Sequence, residues 1–121
     1  MPRADAIGLK RAYEKRSPDD GSRFLVERLW PRGVRKADLP LDGWLKDVAP
    51  STELRQWFAH DPAKWPEFRT RYLAELRRHP AAVAPLLAAA RAGSLTLVYG
   101  AHDTEHNAAV VVRDYLLRRL R

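Results

Sequence analysis

The chain has 121 residues, 22 basic against 15 acidic, a formal net charge of +7 and 45% hydrophobic residues. That size sets a single domain over residues 1–121, burying roughly two-thirds of its unfolded surface, and the composition is that of a globular rather than a disordered chain. With no cysteine there is no disulfide, thiol nucleophile, cysteine-based zinc site or iron–sulfur cluster.

No apolar run approaches the ~18 residues of a membrane span. The opening Met-Pro-Arg-Ala-Asp-Ala-Ile-Gly lacks the apolar stretch of a signal peptide, so a cytoplasmic location is expected. The 17 arginines and 5 lysines are scattered without a continuous basic run. Solvated charge is therefore a better account of the +7 than a nucleic-acid footprint.

In chain order, Ile7–Tyr13 alternates weakly and predicts a short strand, followed by the turn cluster Ser17–Gly21. A second, buried strand is predicted over Phe24–Trp30, stopped by Pro31 and Gly33. Leu41, Trp44, Leu45 and Val48 recur at helical spacing and predict a helix ended by Pro50. Ser51 caps the next helix, with Leu54, Trp57 and Phe58 on one side. Asp61–Pro62 opens a further helix whose stripe is Trp65, Phe68, Tyr72 and Leu76. His79–Pro80 closes it, and a helix carrying Val83, Leu86, Leu87 and Ala90 ends at Gly93. Leu95–Tyr99 predicts a buried strand broken by Gly100. Glu105–Leu120 reads as a helix on length and spacing, although Val110–Val112 favours a strand. The order strand, strand, helices, strand, helix is an α/β layout: one compact domain with a small, mostly parallel sheet flanked by helices. The ten-residue link between the first two strands is short for a parallel crossover, so an antiparallel pairing stays open there.

In a parallel sheet, ligands sit beyond the carboxyl ends of the strands. Two segments reach that edge. The first delivers Glu27, Arg28, Trp30 and Arg32. The second, Tyr99–Gly100–Ala101–His102–Asp103–Thr104–Glu105–His106–Asn107, leads from a strand into a helix. Asp103 or Thr104 would cap that helix, whose free N–H groups favour an anion. A hydrogen bond to Asp103 would hold one nitrogen of His106 and leave the other as a general acid or base. Asn107 would orient a ligand. Arg28, Arg32 and Arg55 would hold an anion bidentately, with at least one of Arg28 and Arg32 buried against Glu27 or Asp103. His102 and His106 have the spacing of a zinc pair only if both lie on one helix, and His102 precedes it, so no metal is expected. Trp57, Trp65, Phe68 and Tyr72 at helical spacing are core rather than a stacking platform. None of the six glycines forms a phosphate loop, and no cofactor is expected.

At these residues the chain resembles a known family. Arg28–Leu29–Trp30–Pro31–Arg32–Gly33, Trp44–Leu45–Lys46, Ala49–Pro50–Ser51 and Leu54–Arg55–x–Trp57–Phe58–x–His60–Asp61–Pro62 resemble the YeaO-like family within domain-of-unknown-function class 488. The likeness continues through Trp65–x–x–Phe68 and closes with Tyr99–x–Ala101–x–Asp103–x–x–His106–Asn107. Two positions depart from the pattern: Glu27 stands where an aspartate is expected, and Gly100 where an alanine is usual. The resemblance implies a compact α/β fold with polar residues at the carboxyl ends of the strands, and it implies no activity. Three functions compete. In the first, a hydrolase or transferase acts on a phosphate- or nucleotide-like anion, with Asp103 and His106 catalytic and Glu27, Arg28, Trp30, Arg32, Arg55, Tyr99 and Asn107 binding. In the second, a nucleic-acid binder stacks bases on Trp30 and Trp44. In the third, a ligand-sensing module uses the same residues only to bind.

Overall fold

Four short strands form one parallel sheet in the order β1–β4–β2–β3. They are β1 (Ile7–Arg11), β2 (Ser22–Leu25), β3 (Gly43–Trp44) and β4 (Leu95–Tyr99). The helices are α1 (Thr52–Phe58), α2 (Trp65–Arg78), α3 (Pro80–Ala92) and α4 (Ala108–Arg119). This computed structural model describes residues 7–120; the first six residues, read above for a leader, and Arg121 lie outside them. No helix among the described residues is long and apolar enough to cross a membrane.

All five residues of β4 are buried, as expected of a central parallel strand. It pairs with β1 from Ile7↔Leu95 to Arg11↔Tyr99 and with β2 from Ser22↔Leu95 to Leu25↔Val98. The first and second strands therefore never touch, and both run parallel to β4; the antiparallel option does not occur. Ten residues separate Arg11 from Ser22. Extended, such a segment reaches about 33 Å, enough to return along a strand of about 17 Å without an α-helix.

The buried residues of the four helices share one core with Ile7, Leu95, Leu97 and Tyr99 on one face of the sheet. The other face carries Leu25 and Val98, and the segment between β2 and β3 covers it with Trp30, Val34, Leu39 and Leu41, joined by Trp44 of β3. That cover explains the second strand's early end. Pairing stops at Leu25, one further ladder bond runs from Val26 N–H to Val98 O (3.1 Å), and residues 27–30 peel away. The indole N–H groups of Trp30 and Trp44 donate to the carbonyls of Val34 and Glu27 (both 2.6 Å), with the rings edge-on at 5.3 Å. The predicted helix over Leu41–Val48 is instead β3 followed by a 3₁₀ turn, Lys46–Val48. Its apolar spacing serves both sheet faces: Leu41 and Trp44 pack on one, Leu45 and Val48 on the other.

The remaining local signals act as the sequence predicts. Ser51 Oγ accepts from Leu54 N–H and caps α1. Asp61 accepts from Ala63 N–H and caps the 3₁₀ turn that leads into α2. Phe68, Tyr72 and Leu76 are buried. Trp57 and Trp65 are only half-buried, and cations lie over Trp57: Arg71 at 4.5 Å and Lys64 at 5.2 Å from the ring centre. The ambiguous last element is helical.

One buried ion pair has no forecast in the sequence. Arg23 is 2% exposed, and its guanidinium donates to Asp20, itself 7% exposed, and through Nε to the Pro40 carbonyl (3.0 Å). Asp20 also accepts from Lys10 Nζ (2.8 Å) and Ser17 N–H (3.0 Å). Together these bonds hold its carboxyl below the usual range, against the opposing effect of burial. The turn fits because Gly21 has φ +64°, and a Cβ there would stand 2.2 Å from Ser94 O.

Two stability effects are expected. Asp20→Ala leaves the Arg23 guanidinium buried and unpaired and should cost about 3–5 kcal/mol by urea denaturation. Phe68→Ala should cost about 3–5 kcal/mol, because its ring is stacked on Phe58 in the core. A loss under about 1 kcal/mol for Phe68→Ala would show that the ring is not packed.

Candidate functional site

Because β4 lies between β1 and β2, the loop after β4 meets the segment after β2. Gly100 N–H donates to Glu27 Oε1 (3.2 Å), and Arg11 Nε to the Ala101 carbonyl (2.8 Å). Burial pushes the Glu27 carboxyl above its ordinary range, opposed by the Gly100 N–H and by the positive charges of His60 and Arg55. An added Cβ on Gly100 would meet nothing within 4 Å. The alanine usual at that position would fit, so that departure leaves the geometry intact.

The loop itself is built around Asp103. Its Oδ1 accepts from the backbone N–H groups of Glu105 (2.9 Å) and His106 (3.0 Å), and its Oδ2 lies 2.9 Å from His106 Nδ1. These bonds lower its carboxyl pKa, the Glu105 N–H most of all. His106 is held as the sequence predicts, by one nitrogen. Its ring meets Trp65 edge-on, centroids 5.2 Å apart, and about a third of the side chain is exposed. The cap of α4 is Asn107, in place of the expected Asp103 or Thr104. Asn107 Oδ1 accepts from Val110 N–H (3.1 Å), and its Nδ2 donates to the Asp103 carbonyl (2.9 Å). Only 3% of Asn107 is exposed, so its amide is spent on structure and is not available to orient a ligand.

The expected arginine clamp is divided among three places. Arg32 is exposed, and its carbonyl accepts from the Tyr13 hydroxyl (2.9 Å). Arg28 lines a cavity of about 240 Å³ with Asp47, Ala49, Ser51, Glu75, Arg78 and His79, a wall that includes neither Asp103 nor His106. Neither Arg28 nor Arg32 pairs with Glu27 or Asp103: Glu27 is already satisfied by Gly100, and Asp103 by its own loop. Arg55 is the arginine whose charge reaches Glu27. The Nε atoms of Arg28 and Arg55 are both buried, with no hydrogen-bond partner among the described residues. Trp30 belongs to the cover of the opposite sheet face. Tyr99 is buried in the helical core, and burial raises its phenol pKa, with Glu14 and Asp103 adding to the rise.

His60 joins this edge although spacing gave no reason to single it out. Ala59 (φ 47°) and His60 (φ 57°) are consecutive left-handed residues, a conformation that costs a non-glycine residue roughly 1–2 kcal/mol. The turn sets the His60 ring 6.2 Å from Phe58, whose ring lies 6.0 Å from Trp65. Two signals pointed to it: its place in the family-like run Trp57–Phe58–x–His60–Asp61–Pro62 and its position between a helix end and the Asp61–Pro62 cap. His102, with Nδ1 3.3 Å from Arg11, and His106 both precede α4, so the two do not sit on one helix. Among the described residues no three His, Asp or Glu side chains converge as a metal site.

A family model described as "Inactive DUF488-N3 subclade" matches residues 6–121. The chain is also 46% identical to the uncharacterised protein YeaO of Escherichia coli over 110 residues, 91% of this chain and 96% of that one. The chain belongs to the YeaO-like DUF488 family. Uncharacterised proteins of Mycobacterium bovis and Mycobacterium tuberculosis are 50% identical over 76 residues, 63% of this chain and 64% of theirs. No solved structure matches. The family is uncharacterised, and no activity comes with membership.

Glu27 gives the edge a measurable signature. Its folded-state pKa lies above the unfolded value near 4.5, so ionising it costs stability that is intact below that pH and lost as pH rises through the folded pKa. Glu27→Gln keeps an acceptor for Gly100 and removes the charge. Its melting temperature should exceed that of the native protein at pH 7, and the gap should close towards pH 4. An equal gap at both pH values would contradict the raised pKa.

Proposed function

We propose that this chain binds a small anionic molecule at the carboxyl edge of its sheet and does not transform it. The observation that carries this reading is Arg55 Nε, buried and without an acceptor among the described residues. Buried donors are normally paired, and a guanidinium fork matches a carboxylate or phosphate. The raised pKa of Glu27 supports the same reading, since a carboxyl whose charged form is disfavoured can take up a proton when an anion arrives more readily than an ordinary one. The ring of His106, about a third exposed, and the ring of Trp65 set edge-on to it offer a ligand an aromatic corner. The description of the family's model as inactive supports binding without turnover.

An enzymatic reading has one observation in its favour, the Asp103–His106 pair with its second ring nitrogen unengaged among the described residues. Against it, the arginines expected to clamp a substrate beside that pair are dispersed. The +7 charge and the paired indoles of Trp30 and Trp44 give the nucleic-acid reading less support, because both N–H groups are spent on carbonyls of the segment after β2 and both rings pack on the sheet face.

Titration calorimetry with inorganic phosphate and with adenosine monophosphate tests the proposal. At least one should bind, and Arg55→Gln should weaken it about tenfold or more, the scale of a lost charged hydrogen bond. Hydrolysis of p-nitrophenyl phosphate should stay at background. Unchanged affinity in Arg55→Gln would remove the anion reading, and turnover that vanishes in His106→Gln would make the protein an enzyme.

A further inference from the structure

The cavity beneath Arg28 has a composition that the carboxyl edge does not. Its wall combines Arg28, Arg78 and His79 with Asp47 and Glu75, together with Ser51 and Ala49. A second cavity of about 280 Å³ shares Ser51, Glu75 and Arg78 with it and adds Glu53 and Arg71. The two form one groove along the carboxyl-terminal half of α2, roofed by the 3₁₀ turn Lys46–Val48 and the start of α1.

Within this groove the charges are not cancelled by one another. Glu75 is fixed by Ser51, whose N–H reaches Oε1 (2.9 Å) and whose hydroxyl reaches Oε2 (2.6 Å). These are neutral donors, so no opposite charge offsets the carboxylate, and lone pairs remain on it. Asp47 is exposed and has no ion-pair partner among the described residues. Arg28 Nε is buried, unpartnered, and belongs to a side chain on the cavity wall. The two Nη nitrogens are not enclosed in this way and no described residue engages them, so the open end of the guanidinium is what can meet a group entering the cavity.

An inorganic phosphate would satisfy Arg28 but would meet Glu75 and Asp47. A simple cation would satisfy the carboxylates but would meet Arg28 and Arg78. A molecule with a carboxylate and an ammonium on neighbouring atoms answers both. We propose that this groove binds a free α-amino acid, its carboxylate on the Arg28 guanidinium and its ammonium between Asp47 and Glu75. The cavity has room for such a molecule, and the adjoining one lies where a side chain could extend along Leu54 and Ala74. The inference rests on Arg28 and is independent of the anion site at Arg55.

Thermal shift and calorimetry with the twenty free α-amino acids, each at millimolar concentration, test it. At least one should bind. Its N-acetyl and its carboxamide derivatives should each bind at least tenfold more weakly, since each removes one of the two charges. Arg28→Gln should produce the same loss as amidation, and Asp47→Asn, on an exposed turn, should weaken the free amino acid more than its N-acetyl form. If Arg28→Gln does not fold, the Asp47→Asn comparison and the two derivatives decide alone. Absence of binding by all twenty, or a ligand that binds equally well after N-acetylation, would overturn the proposal.

Discussion

Every buried backbone group of β4 must find a partner, and that need organises the rest of the chain. A strand enclosed on both faces has no water to satisfy its N–H and C=O groups, so both of its edges must be laddered. β1 takes one edge and β2 the other, drawn from the first quarter of the sequence, while β4 itself comes from the last quarter. The pairing extends past the regular strands, with Ala12 N–H reaching the Tyr99 carbonyl (2.7 Å) and Val26 N–H the Val98 carbonyl (3.1 Å). Those extra rungs bring the loop after β4 onto Glu27.

The two ends of the sheet are used differently. At the amino end, Asp20, Arg23, Lys10 and Ser17 satisfy one another inside the structure, and the Thr96 hydroxyl adds a bond to the Asp20 carbonyl (2.8 Å). Buried charge there is tolerated because each group has a partner, and it fixes the path of a connection that has no α-helix to guide it, only the 3₁₀ turn Pro18–Asp20. At the carboxyl end and beneath it, Glu27 is destabilised in its charged form, and two guanidinium nitrogens lack acceptors. Unpaired donors, left-handed residues at Ala59 and His60 and a desolvated carboxyl all subtract from stability. Such features gather where a protein binds something.

Much of the fold was legible because local signals coincided with long-range needs. Asp61–Pro62, Ser51 and the Phe68–Tyr72–Leu76 stripe act through neighbours a few residues away, so sequence spacing suffices to read them. The Leu41–Val48 spacing misled for a definable reason: those apolar residues divide between two faces of the sheet, and only the tertiary arrangement separates them. The burial of Arg23 is not legible, since nothing in Ser22–Arg23–Phe24 announces that Asp20 and Pro40 will close over it. At the site, the Asp103–His106 bond was readable because it is local. The scattering of Arg28, Arg32 and Arg55 was not, because side-chain direction at the end of a strand depends on where the strand stops. This one stops at Leu25, several residues before the predicted end.

The arrangement of β4 between β1 and β2 is tested most directly by amide hydrogen exchange followed by NMR. Ala12 and Val26 lie outside the regular strands, yet each donates to a β4 carbonyl. Their amides should exchange as slowly as those within β4, through global unfolding alone. Exchange of either amide at the rate of the exposed segment around Arg32 and Gly33 would mean that β4 is not laddered on that edge, and would contradict the fold on which the site depends.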